Sequence, residues 1–253
     1  MTNFQAESYQ EVNSKKIPSL PLPDDSVPEL CRKEDEFVDV EAYSGGKIQC
    51  RPAYYLQGIK GAMDKCLMRR AVADRLLRAR ARLPEGWTFQ IFDAWRPYDV
   101  QYSLYSEYFC GLARKAEYQE LTVRQLHKIA RRFVSYPEKG KELSYVHSSG
   151  GAVDLTLVDG QGNEVDMGSV FDEFSDRSHS DYYEQQGMNE ACRANRRLLY
   201  QVMHAEGFTN LPSEWWHYDY GDRFWAYYTG EKALYASVYE IPGYLRERVR
   251  VHG

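Results

Sequence analysis

The reading of this chain turns on residues 145–157, YVHSSGGAVDLTL. Its second half is rich in β-branched and apolar residues, and Ala152 to Val158 predicts a strand. Asp159-Gly160 then opens a turn toward a partner strand around Glu164 to Met167, an antiparallel hairpin signal. The first half carries His147, and Gly150 and Gly151 stand between it and Asp154. That spacing lets a flexible loop present His147 while Asp154 projects from the strand.

Working outward, Met68, Val72, Leu76, Ala79 and Leu83 recur at steps of three and four, which predicts a helix over about Ala62 to Leu83, ended by Pro84 and Gly86. A strand follows over Thr88 to Trp95, with Phe89, Ile91 and Asp93 alternating against Gln90 and Phe92. Helices are expected over Tyr98 to Lys115, Leu121 to Val134 and Asn189 to Glu206, the last stopped by Gly207. A final strand surrounds Trp215 to Tyr220. Helices and strands interleave and the hairpin signals are antiparallel. The expected fold is α+β, a small antiparallel sheet packed against helices.

The chain has 253 residues, 43% hydrophobic and 27% charged, which suits one soluble globular domain with a sizeable core. Residues 1–35 are polar and contain Pro18, Pro21, Pro23 and Pro28, so they read as an extended arm ahead of a single domain over 36–253. A net charge of -5 gives no reason to expect nucleic acid, and the Arg-rich run Arg69 to Arg82 reads as a solvated helix face. Five scattered cysteines, none at CxxC spacing, argue against a disulfide framework and against a thiolate zinc site. With no apolar leader at the N-terminus and no stretch long enough to span a bilayer, a cytoplasmic location with no membrane partner is expected.

Two segments concentrate reactive side chains, residues 145–157 and SEWWHYDY at 213–220. His147, Asp154 and His217 form a candidate His/Asp/His set, and three N/O ligands with an open fourth position are what a catalytic zinc needs. On spacing alone, each histidine also fits a hydrogen-bonded core role and Asp154 a turn cap. Glu214, three residues before His217, can serve as a general base only if the backbone bends, because residues three apart on a flat strand face opposite sides. Trp215 and Trp216 would then desolvate it and raise its pKa. Arg96, between Trp95 and Pro97, suits an oxyanion stabiliser or a salt bridge at a strand end.

Together these segments resemble the D-alanyl-D-alanine dipeptidases, the VanX-like zinc metallopeptidases. The matching motifs are HSSGGAVD at 147–154, EWWHY at 214–218 and WRP at 95–97, supported by VDMGSVFDEFSDRSH at 165–179 and NRRLLYQVMHAEGF at 195–208. The resemblance runs from about Ala62 to Tyr220. It implies one zinc per chain on His147, Asp154 and His217, with Glu214 as base and Arg96 as oxyanion stabiliser. It also implies that Asp172 receives the free ammonium of a small D-amino-acid dipeptide. Tyr145 stands where the family has a Ser that meets the substrate carboxylate, which would place Tyr145 in the substrate pocket. Ser149 stands where an Arg is usual, and the family's upstream substrate-facing Tyr would be Tyr54 or Tyr55.

The implied reaction is hydrolysis of D-Ala-D-Ala to two D-alanines, in cell-wall precursor recycling or glycopeptide resistance. A D,D-carboxypeptidase or other peptidoglycan peptidase is the first alternative, and Asp172 counts against it. A non-catalytic zinc-stabilised binding domain is the second, and it would have no need to keep Glu214 and Arg96. Oligomeric state stays open.

Overall fold

The computed structural model describes residues 15–131, 133–185 and 187–241. The elements run β1 (Phe37–Asp39), α1 (Val40–Tyr43), β2 (Gln49–Cys50), α2 (Ala53–Leu56), β3 (Leu67–Arg69), α3 (Arg70–Arg80), β4 (Thr88–Asp93) and α4 (Tyr98–Ala113). They continue as α5 (Val123–Ala130), β5 (Ala152–Val158), α6 (Glu190–Ala205), β6 (Thr209–Asn210), β7 (His217–Asp219) and α7 (Arg223–Thr229). A five-stranded sheet has the order β2-β4-β5-β7-β6, and β1 and β3 form a separate antiparallel pair.

The α+β expectation holds with one correction to the sheet. β4, β5, β7 and β6 pair antiparallel, but the edge strand β2 lies parallel to β4. All seven residues of β5 are buried, because β5 is the middle strand and both of its faces are covered. Val153, Leu155 and Leu157 share a core with Phe89 and Ile91 of β4, Val72 and Leu76 of α3, and Leu199, Val202 and Met203 of α6. Asp154 and Thr156 point to the opposite face, since successive strand residues alternate.

A bulge decides what that opposite face carries. Gln90 pairs with Thr156 and Ile91 with Leu155, but Asp93 pairs with Asp154, leaving Phe92 as the extra residue. Simple alternation would put Asp93 on the core face beside Phe89 and Ile91. The inserted Phe92 moves it to the face of Asp154, and His217 of β7 is the partner of Asp154 on the other side. Three functional side chains thus stand in a row across β4, β5 and β7.

Several element bounds differ from expectation. The helix predicted from Ala62 begins only at Arg70, because Leu67–Arg69 pair with β1 as a strand. Met68 is still fully buried, so the apolar periodicity was real while the backbone conformation was set by a distant partner. Helix α5 is shorter than 121–134 and starts at a capping box between Thr122 and Gln125. The partner strand at Glu164 to Met167 reduces to a single bridge between Val158 and Glu164. Residues 1–14 of the expected arm lie outside the described residues, and residues 15–36 hold no helix or strand beyond one bridge from Leu30 to Ala233. The Arg-rich face of α3 is partly tied down, with Arg78 and Arg82 both on Glu206.

Candidate active site

His147 sits in a short 3-10 turn, Val146–Ser149, that leads into β5. The turn closes at Gly150, with φ +75, where a Cβ would overlap the Phe37 ring; at Gly151 a Cβ would overlap the Tyr220 carbonyl. The two glycines thus let the His147 turn pack tightly against β1 and the end of β7. The Nδ1 of His147 is 2.7 Å from the Ala94 carbonyl, which makes Nδ1 the protonated nitrogen and turns the Nε2 lone pair toward Asp154 Oδ2 at 3.3 Å. His217 Nδ1 lies 2.8 Å from Asp154 Oδ1, while its Nε2 lies 2.9 Å from Asp219 Oδ1. One donor atom from each of His147, Asp154 and His217 falls within 4.8 Å of the others, and all three residues are buried.

Burial opposes ionisation of Asp154, but His147 and His217 outweigh it and hold the carboxyl well below the usual carboxylate range. Burial alone would lower His217; Asp219 and Asp154 outweigh it and hold the imidazole well above its ordinary value. Two imidazoles and one carboxylate, with no thiolate among them, are a donor set that suits a catalytic zinc. Each histidine also carries an oxygen partner on its far nitrogen, the arrangement that fixes the tautomer of a ligating imidazole.

Arg96 is only 8% exposed and spans the group. Its Nε donates to Asp93 Oδ2 at 2.7 Å and its Nη1 to Gln101 Oε1 at 2.7 Å. Its Nη2 makes longer contacts, 3.3 Å to Asp154 Oδ2 and 3.4 Å to the Tyr54 hydroxyl. The guanidinium is held at two nitrogens and loosely engaged at the third, so the third can turn to a new oxygen. Burial works against its charge, but Tyr54, Asp93 and Asp154 raise its pKa above the ordinary value and keep it cationic.

Glu214 precedes β7 in a turn closed by a bond from His217 N to the Glu214 carbonyl at 3.2 Å. The bend required for Glu214 and His217 to share a site is therefore present. Asn210 pins it by donating to the carbonyls of Glu214 at 3.0 Å and His217 at 2.8 Å. Glu214 Oε2 is 4.0 Å from His217 Nδ1. Burial, and after it the charges of Asp154 and Asp172, push the Glu214 carboxyl up to about 8 against the pull of His217.

Asp172 has φ +60, a left-handed conformation uncommon for a residue with a Cβ, and accepts a bond from the Tyr54 hydroxyl at 3.0 Å. Burial, then Asp154, push it up to about 7. Tyr145 is buried and lines the same cleft, but its hydroxyl donates to the Arg96 carbonyl at 2.9 Å. The hydroxyl thus fixes the stretch of backbone that carries Arg96. All seven residues singled out in the sequence line one cleft of about 1490 Å³.

The D-ala-D-ala dipeptidase family, Peptidase_M15, matches residues 55–234 of this chain. The chain belongs to that family. A D-alanyl-D-alanine dipeptidase of Synechocystis is 33% identical over 177 residues, covering 64% of this chain and 72% of its own length. One of Escherichia coli is 47% identical over 73 residues, 29% of this chain and 36% of its own length. Two solved structures, a mutant of the D,D-pentapeptidase VanY in complex with Zn(II) and VanYB in complex with D-alanine-D-alanine, are 14% identical with TM-scores of 0.41 and 0.42. They cover 85% and 93% of this chain and 96% and 99% of their own chains.

The dipeptidase-family match takes in every residue of the site from Arg96 to His217 and stops before the last described segment. That segment straps the back of the His147 turn. Val238 N donates to the Ser148 carbonyl at 2.7 Å, and Trp95 Nε1 donates to the Val238 carbonyl at 2.8 Å. Two carboxylates beside the site were not singled out in advance, Asp93 and Asp219. Asp219 could have been found two residues after His217, on the same strand face; Asp93 was hidden by the bulge at Phe92. Ser149 bonds locally instead, donating to the Val146 carbonyl and accepting from Gly151 N.

Proposed function

We propose that this chain is a zinc-dependent dipeptidase that hydrolyses D-Ala-D-Ala to two D-alanines, with one zinc held by His147, Asp154 and His217. The observation that carries the reading is the convergence of three buried N/O donors within 4.8 Å, with the Glu214 carboxylate 4.0 Å from one of them. Family membership supports the same chemistry. A zinc ion supplies Lewis acidity there, polarising the scissile carbonyl and lowering the pKa of water toward about 7.

The protein's own groups have separate tasks. Glu214, kept basic by its desolvated position, takes a proton from the attacking water and returns it to the leaving amine. Arg96, fixed by Asp93 and Gln101, turns its loosely held Nη2 toward the oxygen that gains negative charge. Asp172, positioned by Tyr54, receives the substrate ammonium and selects a free N-terminus next to the scissile bond. Tyr145 acts indirectly by holding the Arg96 carbonyl.

A second reading, a D,D-carboxypeptidase on the same site, draws support from the cleft, whose 1490 Å³ exceeds the needs of a dipeptide. The two readings separate on D-Ala-D-Ala, N-acetyl-D-Ala-D-Ala and L-Ala-L-Ala, each with and without chelator. A dipeptidase cleaves only the first, and only without chelator. Rapid cleavage of the acetylated peptide would favour the carboxypeptidase. Within the proposal, a cytoplasmic setting is supported by five free cysteines. No helix among the described residues is long and apolar enough to cross a membrane.

A further inference from the structure

Arg196 is a buried cation in an unusual setting. It lies on α6, is 2% exposed, and makes no ion pair with a carboxylate among the described residues. All its bonds go to a single loop. Nε donates to the Met167 carbonyl at 2.7 Å and Nη1 to the His179 carbonyl at 2.6 Å. Nη2 donates to the Arg177 carbonyl at 2.6 Å and lies 3.4 Å from Ser169 Oγ. Tyr183 and Trp215 cover the guanidinium, with ring centroids at 4.7 Å and 5.8 Å. Burial lowers its pKa to about 10, so it stays charged near neutrality.

The acceptors come in two pairs, Met167 and Ser169 where the loop leaves the sheet, Arg177 and His179 where it returns. Between them lies Asp172 in its left-handed conformation. In the middle of the loop Val170 is 70% and Phe174 51% exposed, the latter against Tyr108 of α4 at 5.0 Å, and Glu173 accepts from Ser175 and Arg177 within the loop. Phe171 is its one aromatic anchor toward the sheet, stacked on Phe92 at 4.8 Å. No strand ladder fixes this stretch; its turns are local, one over Val170–Glu173 closed by Glu173 N on the Val170 carbonyl at 3.3 Å, with Asp172 inside it, and the 3-10 turn Asp176–Ser178. The guanidinium does what a ladder would do, satisfying backbone oxygens at both ends from one rigid plane. The same clamp reaches the catalytic turn: Ser169 Oγ also accepts from Trp215 Nε1 at 2.9 Å, and Trp215 N donates to the Ser178 carbonyl at 2.9 Å. Trp215 is the residue after Glu214.

We propose that Arg196 is a positioning residue for substrate recognition: by closing both ends of loop 167–179 it sets the placement of Asp172 relative to Glu214. The inference rests on the reading of Asp172 as the ammonium-binding group. A merely structural Arg196 would affect stability and the amount of active protein. A positioning Arg196 affects KM and the preference for a free N-terminus.

The test uses Arg196→Lys, which keeps the charge but cannot span the acceptors of both loop ends from one plane. Parent, Arg196→Lys, Asp172→Asn and the double variant are assayed for zinc content, kcat and KM on D-Ala-D-Ala, and kcat/KM on its N-acetyl form. Arg196→Lys is expected to keep its zinc, hold kcat within about threefold and raise KM about tenfold, with the preference for the free dipeptide falling by a similar factor. The double variant should show no greater loss of preference than Asp172→Asn alone, because both act through one contact. Unchanged KM and preference in Arg196→Lys would overturn the proposal, as would equal losses on both substrates. If Asp172→Asn itself keeps the parent's preference, the Asp172 reading fails instead. Should Arg196→Lys not fold, Ser169→Ala removes the hydroxyl shared by Arg196 and Trp215. It is expected to raise KM about threefold at constant kcat, and an unchanged KM there overturns the clamp.

Discussion

The two halves of this site are built by different means. The metal half is anchored on the sheet: Asp154 and His217 are register partners on β5 and β7, with Asp93 beside them on β4, and His147 is presented by the short turn that leads into β5. The substrate half hangs on a loop, where Asp172 is held by Tyr54, by a Phe171 anchor and by bonds from Arg196. A strand ladder repeats its geometry at every residue, so the spacing of ligands resists change elsewhere in the molecule. A loop fixed by a few side chains can be retuned one contact at a time. Metal chemistry should therefore fail abruptly when altered, and recognition gradually.

The largest effect is expected at the ladder. His217→Ala or Asp154→Ala should reduce zinc from about one per chain to near none and bring hydrolysis to background. Elemental analysis of dialysed protein checks this, and full zinc in His217→Ala would contradict the ligand assignment. Next comes Glu214→Gln, which should retain zinc and lose about 10²–10⁴-fold in kcat. In the parent, kcat/KM should fall as pH drops through the Glu214 pKa, because the base must be ionised. A cation in the site draws that pKa below the value of about 8 set by burial. Persistence of the same acid limb in Glu214→Gln would assign it to another group.

The sequence foretold the metal half better than the substrate half, for a physical reason. The strand at Ala152–Val158 and the helix at Glu190–Ala205 announce themselves by composition and periodicity, and they carry or support much of the site. Spacing made His147, Asp154 and His217 a candidate set but left core roles open to them, and the resemblance to the dipeptidases is what singled them out. Asp93 was not, since a single bulged residue reverses strand parity and nothing in FDAWRP marks it. The β1–β3 pair was also hidden, because its partners are distant in sequence and the apolar spacing of Met68 suits a helix equally. The direction of the Tyr145 hydroxyl, toward the Arg96 carbonyl, was not legible because only three-dimensional packing decides it. Arg196 carries no signal of its own in NRRLLYQVMHAEGF, because its partners are carbonyls of a loop distant in sequence.

Arg96, which joins the two halves, should give an intermediate effect. Arg96→Ala is expected to cost about 10²–10³-fold in kcat with zinc retained. A raised KM at constant kcat would place Arg96 in ground-state binding instead. The smallest effect lies outside the cleft. Burial lowers the His204 imidazole to about 4, so its neutral form is favoured on folding. The sign follows directly: its stabilising effect is complete above the unfolded-state value of about 6.5 and is lost as pH falls toward 4. His204→Gln should flatten the decline in unfolding free energy between those limits by up to roughly 3 kcal/mol, with kcat at neutral pH unchanged. An identical decline in the variant would assign the acid sensitivity to other groups.

The central claim is that one zinc on His147, Asp154 and His217 makes this chain a D-Ala-D-Ala dipeptidase. Its most direct test is a zinc titration of chelator-stripped protein, with hydrolysis of D-Ala-D-Ala recorded at each addition. The predicted result is no activity without metal, a linear rise to about one equivalent and a plateau beyond it. Activity that is present in the stripped protein, or that does not respond to zinc, would contradict it.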